Sequence, residues 1–284
     1  MLNNLKTTLL LGILTTLLVL AGSLMGGRSG ALIAFVVAIV MNVGSYWFSA
    51  KIVLATYGAR EVQPGELPRV EQILDRLVQR ANIPRPKLYL IPQPQPNAFA
   101  TGRNPQHAAV AVTEGIVRLM PDDELEGVIA HELAHVKHRD ILISTVAATL
   151  AGAVMMLASM ARWGAIFGGY GGRDDREGGG ALGMLVVALV APIAATLVQL
   201  AVSRSREFEA DRGAVEMTGN AQGMARALHR LAQTSGQIPM EASPQTAHMF
   251  IVSPMFGRLS SLFSTHPPIE DRIRALIGDR PVWA

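Results

Sequence analysis

Long apolar runs without charge alternate with polar, periodic segments along this chain of 284 residues. A helix needs about 20 mostly apolar residues to cross a bilayer. Four uncharged runs meet or approach that length: Thr7–Gly27, Ser29–Ala50, Ile141–Ala161 and Gly178–Ser203. Only Arg28 separates the first two, which predicts a transmembrane hairpin instead of a cleaved signal peptide. Small residues in the second pair suit helices that pack in lipid, so about four transmembrane helices are predicted.

The polar segments between these runs carry helix and strand patterns. Gln63–Asn82 has one apolar face and predicts an amphipathic helix, and Lys87–Ile91 alternates like a strand. Two more strands are predicted around a Gly-Arg-Asn-Pro turn, Asn97–Gly102 and Ala108–Thr113. Further helices are predicted from Pro121, over Ser203–Thr218, over Asn220–Thr234, and from Pro267 to just before Gly278. Gly236–Ser261 has no assignable pattern.

Charged residues orient the predicted spans. Basic residues cluster just outside the second, third and fourth spans, whereas the first turn holds only Arg28. The positive-inside rule therefore places both termini and the region between the hairpins in the cytoplasm. The net charge of +3 reflects this bias, because no basic stripe with interleaved aromatic residues indicates a nucleic-acid partner. The absence of cysteine excludes disulfides and a thiolate-bound metal.

One motif carries candidate chemistry, the sequence His131-Glu132-Leu133-Ala134-His135. Histidines four apart on a helix share a face, so both imidazoles can bind one Zn²⁺. Glu132 is then placed to act as a general base on water at the metal, without binding the metal itself. Pro121, the acidic residues after it and the apolar spacing that follows predict the helix. The alternative is a pair of buried or solvent-facing histidines with no metal.

A zinc site needs a third ligand from the protein. One class of zinc protease places a glycine and then a histidine after the motif, but His138 and Ile141 occupy those positions here. His138 shares the face of the motif histidines, yet three ligands along one straight helix lie too far apart for one ion. Glu207 and Asp211 are four residues apart on another predicted helix. Glu207 can therefore bind zinc while Asp211 accepts a hydrogen bond from a ligand imidazole.

These motifs resemble those of the HtpX family of bacterial heat-shock membrane proteases, and of the related integral-membrane CAAX prenyl proteases. The resemblance covers nearly the whole chain and is carried by the apolar hairpins and by His131–Asp140, Arg206–Asp211, Asn97–Ala100 and Thr265–Pro268. It implies a mainly α membrane fold of about four transmembrane helices with a cytoplasmic, gluzincin-like zinc protease domain that contains a small β-sheet.

The resemblance also implies roles for individual residues. One Zn²⁺ per subunit is expected on His131, His135 and Glu207, with Glu132 as the general base. Asn97 and Ala98 are expected on an edge strand that holds the substrate. His266 and Arg272 are expected near the cleft, where they help to stabilise the oxyanion. Pro267 and Pro268 equally suit a simple helix N-terminus at His266.

The expected function is that of a zinc-dependent endopeptidase that cleaves misfolded or damaged membrane proteins in quality control and the stress response. Its expected location is the bacterial inner membrane, with membrane-protein or unfolded polypeptide substrates and the lipid bilayer as partners. The expected division of the chain is an N-terminal hairpin (1–56), a first protease region with the zinc helix (57–140), a second hairpin (141–203) and a second protease region with the third ligand (204–284).

Three alternatives remain at this stage. A CAAX-type prenyl-protein endoprotease shares the motifs, but this chain is short and has four predicted spans instead of many. An intramembrane zinc protease would carry the motif inside an apolar span, whereas charged residues flank it here. A non-enzymatic membrane scaffold or transporter with an incidental metal site would be expected to carry charges within its spans, and the four runs carry none.

Overall fold

The computed structural model describes residues 2–152, 204–235, 246, 249–251 and 267–283. The predicted fourth span and the second half of the predicted third span lie outside the described residues. In chain order the helices and strands are α1 (Leu2–Thr56), β1 (Arg60–Glu61), α2 (Pro68–Ala81), β2 (Lys87–Ile91), β3 (Ala98–Gly102), β4 (Ala108–Thr113), α3 (Glu114–Leu119), α4 (Asp122–His138), α5 (Ile141–Gly152), α6 (Arg204–Thr218), α7 (Ala221–Ser235) and α8 (Ile269–Ile277).

Helix α1 folds back on itself and forms the predicted N-terminal hairpin. The side chain of Asn42 donates to Thr15 Oγ1 at 2.9 Å, although the two residues would lie about 40 Å apart along a straight helix. Gly27, with φ of +57°, lies between them and supplies the left-handed backbone conformation at the reversal. Among the described residues, the segment Gly27–Thr56 is long and apolar enough to cross a membrane, with a mean hydropathy of 2.0.

The second arm of this hairpin has its small residues inside and its large apolar residues outside. Ala38 and Ser49 are each 1% exposed, whereas Leu32 and Val40 are each 65% exposed. Small side chains at helix contacts and large apolar ones on the outer surface are typical of helices in lipid.

The β-sheet is a small mixed sheet with strand order β1-β2-β4-β3. Strands β2 and β4 are parallel, while β1 pairs with β2, and β3 with β4, in antiparallel fashion. Strand β3 is therefore an edge strand, and it faces the helix that carries the candidate metal motif.

Both faces of the sheet are covered, which explains why β3 and β4 do not alternate between apolar and polar residues. One face, with Leu88, Val110 and Val112, packs in the main core with α2, α4, α6 and α7. The other face, with Phe99 and Ala111, packs against the end of α1 and the segment 249–250. The sheet thus lies between the motif helix and the base of the membrane hairpin.

The structure confirms most predicted elements and corrects several boundaries. Helix α2 begins at Pro68 and not at Gln63, because Pro64 and Gly65 form a turn and Gly65 has a φ of +82°. Helix α4, predicted from Pro121 with no stated end, ends at His138 because Arg139 adopts a left-handed conformation. Strand β1 and helix α3 were not predicted, because two residues and six residues are too short to carry a periodic pattern.

Gly115, at the start of α3, is a position where the fold has no room for a side chain. A Cβ there would lie 2.0 Å from the Pro94 carbonyl oxygen, in the loop that leads into β3. We expect Gly115→Ala to destabilise the protein by about 1–3 kcal/mol, because the backbone on one side must move. The melting midpoint in detergent should fall by about 2–12 °C. The neighbouring Glu114→Ala is the control, since Glu114 is exposed, and equal midpoints for the two variants would contradict the prediction.

Candidate metal centre

Helix α4 presents both motif histidines and the glutamate between them to the interior. His131 and Glu132 are 1% and 2% exposed, and His135 lies one turn further along the same face. The acidic residues Asp122, Asp123 and Glu124 in the first turn complement the helix dipole. This part of the protein therefore has the geometry expected of an H-E-x-x-H helix.

Glu207 on α6 completes a three-ligand cluster with these histidines. The Nε2 atoms of His131 and His135 are 3.2 Å apart, and the Glu207 carboxylate oxygens lie 3.7 Å and 3.6 Å from them. Two ligands bound tetrahedrally to zinc at their usual bond lengths lie about 3.4 Å apart. The three side chains therefore fit a tetrahedral zinc ion, with one position left for water or substrate. His138 is exposed and is not part of the cluster.

His131 is held by a carboxylate and an arginine behind it. Its Nδ1 lies 2.9 Å from Asp211 Oδ1, and Arg272 binds both Asp211 oxygens, at 2.8 Å and 2.6 Å. Burial lowers the pKa of His131 to about 4 against the opposing effect of Asp211, so its imidazole is neutral. Burial alone would raise the pKa of Asp211, but the charge and hydrogen bonds of Arg272 outweigh it and lower that pKa to about 2. The Nε2 lone pair of His131 therefore faces the ligand cluster.

His135 lies among carboxylates. Its Nδ1 is 3.3 Å from Asp140 Oδ2, and Arg206 Nη1 is 3.6 Å from the other Asp140 oxygen. Burial lowers the pKa of His135, but the hydrogen bond to Asp140 and the charges of Glu207 and Glu132 outweigh it and raise the pKa to about 9. The carboxylates that surround the His135 imidazole therefore make this position favourable for a cation.

Glu132 is positioned by the backbone of the edge strand. Its Oε2 accepts a hydrogen bond from the Ala100 N–H at 2.7 Å. Burial raises the pKa of Glu132 to about 8, with His135 acting to lower it and Glu207 to raise it. A carboxyl group next to the ligands whose pKa lies near neutrality can take up and release a proton at physiological pH.

The predicted substrate residues lie at the start of β3. Asn97 and Ala98 are both fully buried, and the Asn97 side chain accepts a hydrogen bond from the Ala98 N–H at 3.1 Å. The Ala98 carbonyl accepts a hydrogen bond from the Ile251 N–H at 3.3 Å. The segment 249–251 therefore lies against the outer edge of β3, a contact that could not be predicted from sequence.

Arg272 lies behind the ligands, and its guanidinium is fully buried. Besides Asp211 it contacts the Ile251 carbonyl at 3.2 Å and lies 3.6 Å from Glu207 Oε2. His266 lies outside the described residues, so its predicted role near the cleft stays a prediction.

Three elements of the site could not be found from sequence. Asp140 lies beside His135 because α4 ends in a left-handed turn at Arg139, a position with no glycine to mark it, and Arg206 of α6 contacts Asp140. The Ala100 N–H is a backbone group, which no side-chain motif encodes.

Comparison with known proteins supplies the context for this geometry. The family model described as Peptidase family M48 matches residues 64–279. A "Protease HtpX homolog" of Desulfatibacillum aliphaticivorans is 56% identical over 280 residues, which cover 98% of this chain and 90% of that protein. Another of the same name, from Syntrophobacter fumaroxidans, is 58% identical over 274 residues, covering 95% and 97%. A crystal structure of S. mikatae Ste24p aligns with a TM-score of 0.48 and 21% identity, over 87% of this chain and 57% of that one.

Variants on α6 test which carboxylate is the third ligand. We expect Glu207→Ala to lose most bound zinc, because it removes one of three ligand side chains. Asp211→Ala should weaken zinc binding by about 10–100-fold. Glu209→Ala is the matched control and should keep full zinc, since Glu209 is exposed. Elemental analysis of the purified variants measures this, and loss of zinc in Glu209→Ala with retention in Glu207→Ala would reverse the assignment.

Proposed function

We propose that this chain, which belongs to peptidase family M48 and is an HtpX-type membrane zinc metallopeptidase, cleaves misfolded or damaged membrane proteins. Its proposed role is in quality control and the stress response. The observation that carries the proposal is that three candidate ligand side chains converge beside Glu132, a buried glutamate that is not part of the ligand cluster. His131, His135 and Glu207 present atoms that all lie within 4.8 Å of one another. Glu132, between the two histidines in sequence, is directed instead towards β3.

The chemistry divides between the metal and the chain. His131, His135 and Glu207 would hold a zinc ion, which would supply a Lewis acid that lowers the pKa of water and polarises a peptide carbonyl. Glu132 accepts the proton of the attacking water and then donates it to the leaving amine. The Ala100 N–H holds Oε2 of that carboxylate in place through both transfers. Asp211 fixes His131 in the tautomer that directs Nε2 to the metal. Arg272 acts through Asp211, because its buried guanidinium is bound there.

An extended polypeptide fits the edge of β3 as substrate. Among the described strands, β3 pairs with β4 alone, and its Ala100 N–H and Ala98 carbonyl point to the other side, towards Glu132 and Ile251. A substrate strand that adds to this edge gains main-chain hydrogen bonds, which select little for sequence. To reach the Ala98 carbonyl, its N–H must replace that of Ile251. Low sequence selectivity suits a protease that removes damaged proteins of many kinds.

The proposed location is the bacterial inner membrane, with the active site and both termini in the cytoplasm. Support comes from the N-terminal hairpin, whose turn at Gly27–Arg28 carries one basic residue, whereas Lys51, Arg60 and Arg69 follow its second arm. The aromatic residues Tyr46, Trp47 and Phe48 near the end of that arm suit the membrane–water interface.

The general-base role predicts a variant that binds metal and does not cleave. Glu132→Gln should keep its zinc, because Glu132 is not a ligand. Its hydrolysis of casein or of a fluorogenic peptide should fall by about 10²–10⁴-fold, because the amide cannot take the proton. Zinc content and turnover are measured on the same preparation, with Glu209→Ala as the control. Near-normal turnover by Glu132→Gln with zinc bound would remove Glu132 from the mechanism.

The topology predicts that the hairpin turn and the protease domain lie on opposite sides of the membrane. Alkaline phosphatase, which is active outside the cytoplasm, should be active when fused after Arg28 and inactive when fused at Ala284. A fluorescent protein that folds only in the cytoplasm should give the opposite result at the two positions. Reporters on the same side would contradict a spanning hairpin and place α1 outside the bilayer.

A further inference from the structure

The two ligand histidines have the same kind of support, but from different parts of the chain. His131 contacts Asp211, which is bound by Arg272. His135 contacts Asp140, which is bound by Arg206. Asp211 was expected near a ligand imidazole from its spacing to Glu207 on α6, whereas Asp140 is brought to His135 by the turn that ends α4.

Asp140 reaches His135 because of how α4 ends. Arg139 takes a φ of +60°, which turns the chain back so that the Asp140 N–H bonds to the His135 carbonyl at 3.0 Å. That turn brings the Asp140 carboxylate beside the ring of the same histidine, with Oδ2 3.3 Å from Nδ1. Asp140 is 4% exposed, so water competes little for this contact.

Arg206 comes from the far side of the site. It is the third residue of α6 and directly precedes the ligand Glu207. It is 9% exposed, and its Nη1 lies 3.6 Å from Asp140 Oδ1, the oxygen that does not face His135. The ion pair therefore joins the end of α4 to the start of α6 without using the oxygen that His135 needs.

We propose that Asp140, held by Arg206, is the positioning residue for His135. By accepting the Nδ1 proton it fixes the tautomer in which Nε2 points towards His131 and Glu207. The proposal rests on the zinc site of the proposed function, but concerns metal binding and not proteolysis. Asp140 does not touch the reacting atoms.

The test measures the zinc affinity of the full-length protein in detergent by competition with a chromophoric chelator. Asp140→Ala should bind zinc about 10–100-fold more weakly, as is usual when a ligand histidine loses its outer hydrogen bond. Asp140→Asn keeps an acceptor oxygen and should recover most of that affinity. With cobalt in place of zinc, Asp140→Ala should show an altered visible absorption spectrum, because the ring of one ligand is no longer held.

Asp123→Ala is the matched control. Asp123 lies on α4, as the two histidines do, and pairs with Arg226, but contacts neither histidine. The zinc affinity of Asp123→Ala should therefore match that of the wild type. If Asp140→Ala does not fold, Arg206→Gln is the second variant. It keeps the Asp140 carboxylate but removes the guanidinium that pairs with it, and it should weaken zinc binding several-fold.

Two results would overturn the proposal. One is an affinity of Asp140→Ala within twofold of the wild type, and the other is an Asp140→Asn variant as weak as Asp140→Ala. Absence of peptidase activity in the wild type would count against the proposed function alone, because the zinc measurements do not depend on turnover.

Discussion

Helices α4 and α6 lie close together through small side chains, and the metal centre depends on that approach. A Cβ on Gly213 of α6 would lie 3.0 Å from the Cβ of Ala134 on α4. Ala210 and Ala214, both fully buried, continue the same side of α6. Glu207 and Asp211 occupy that side too, so the packing that buries the alanines also directs both carboxylates at His131 and His135. Larger residues at this contact would separate the helices and draw the third ligand away from the first two.

The close packing of α4 and α6 buries several charged side chains, and the arrangement is stable only if their charges compensate one another. Glu132, Glu207, Asp211 and Asp140 are all at most 4% exposed, and two guanidinium groups, those of Arg272 and Arg206, face them. Buried charges without partners cost several kcal/mol each. Within the described residues the carboxylates outnumber the guanidinium groups, so a bound divalent cation would neutralise the excess. The same carboxylates raise the pKa of His135 against the effect of burial, whereas the pKa of Glu132 is raised chiefly by burial itself. Metal binding would thus stabilise the fold as well as supply the chemistry.

Local sequence pattern was enough to predict the longer helices and strands, but not the short β1 and α3 or the contacts between elements. The H-E-x-x-H helix, strand β2 and helices α6 to α8 each show periodicity over their own length, while β3 and β4 are marked by the turn residues between them. The hairpin follows from hydropathy with a reversal at Gly27. The ligand set could be predicted because His131, His135 and the Glu207–Asp211 pair lie at helical spacing. Asp140 could not, because its position depends on one left-handed residue, and neither could the Ile251 contact with Ala98, which joins segments 153 residues apart in sequence. Tertiary contacts of this kind leave no periodic trace.

Helix α5 joins the end of the metal-site helix to the edge strand of the sheet. It begins one residue after Asp140, and Thr145 on its second turn shares a hydrogen bond with Thr101 of β3 at 3.0 Å. The turn that follows β3 is also tied to the membrane hairpin, since the Arg103 guanidinium lies 4.4 Å from the ring centre of Trp47. Direct contacts therefore join α5 to the edge strand, and the turn after that strand to the base of the hairpin. Helix α5 thus contacts the edge strand through Thr145 and continues directly from the turn at Arg139 that places Asp140 beside His135.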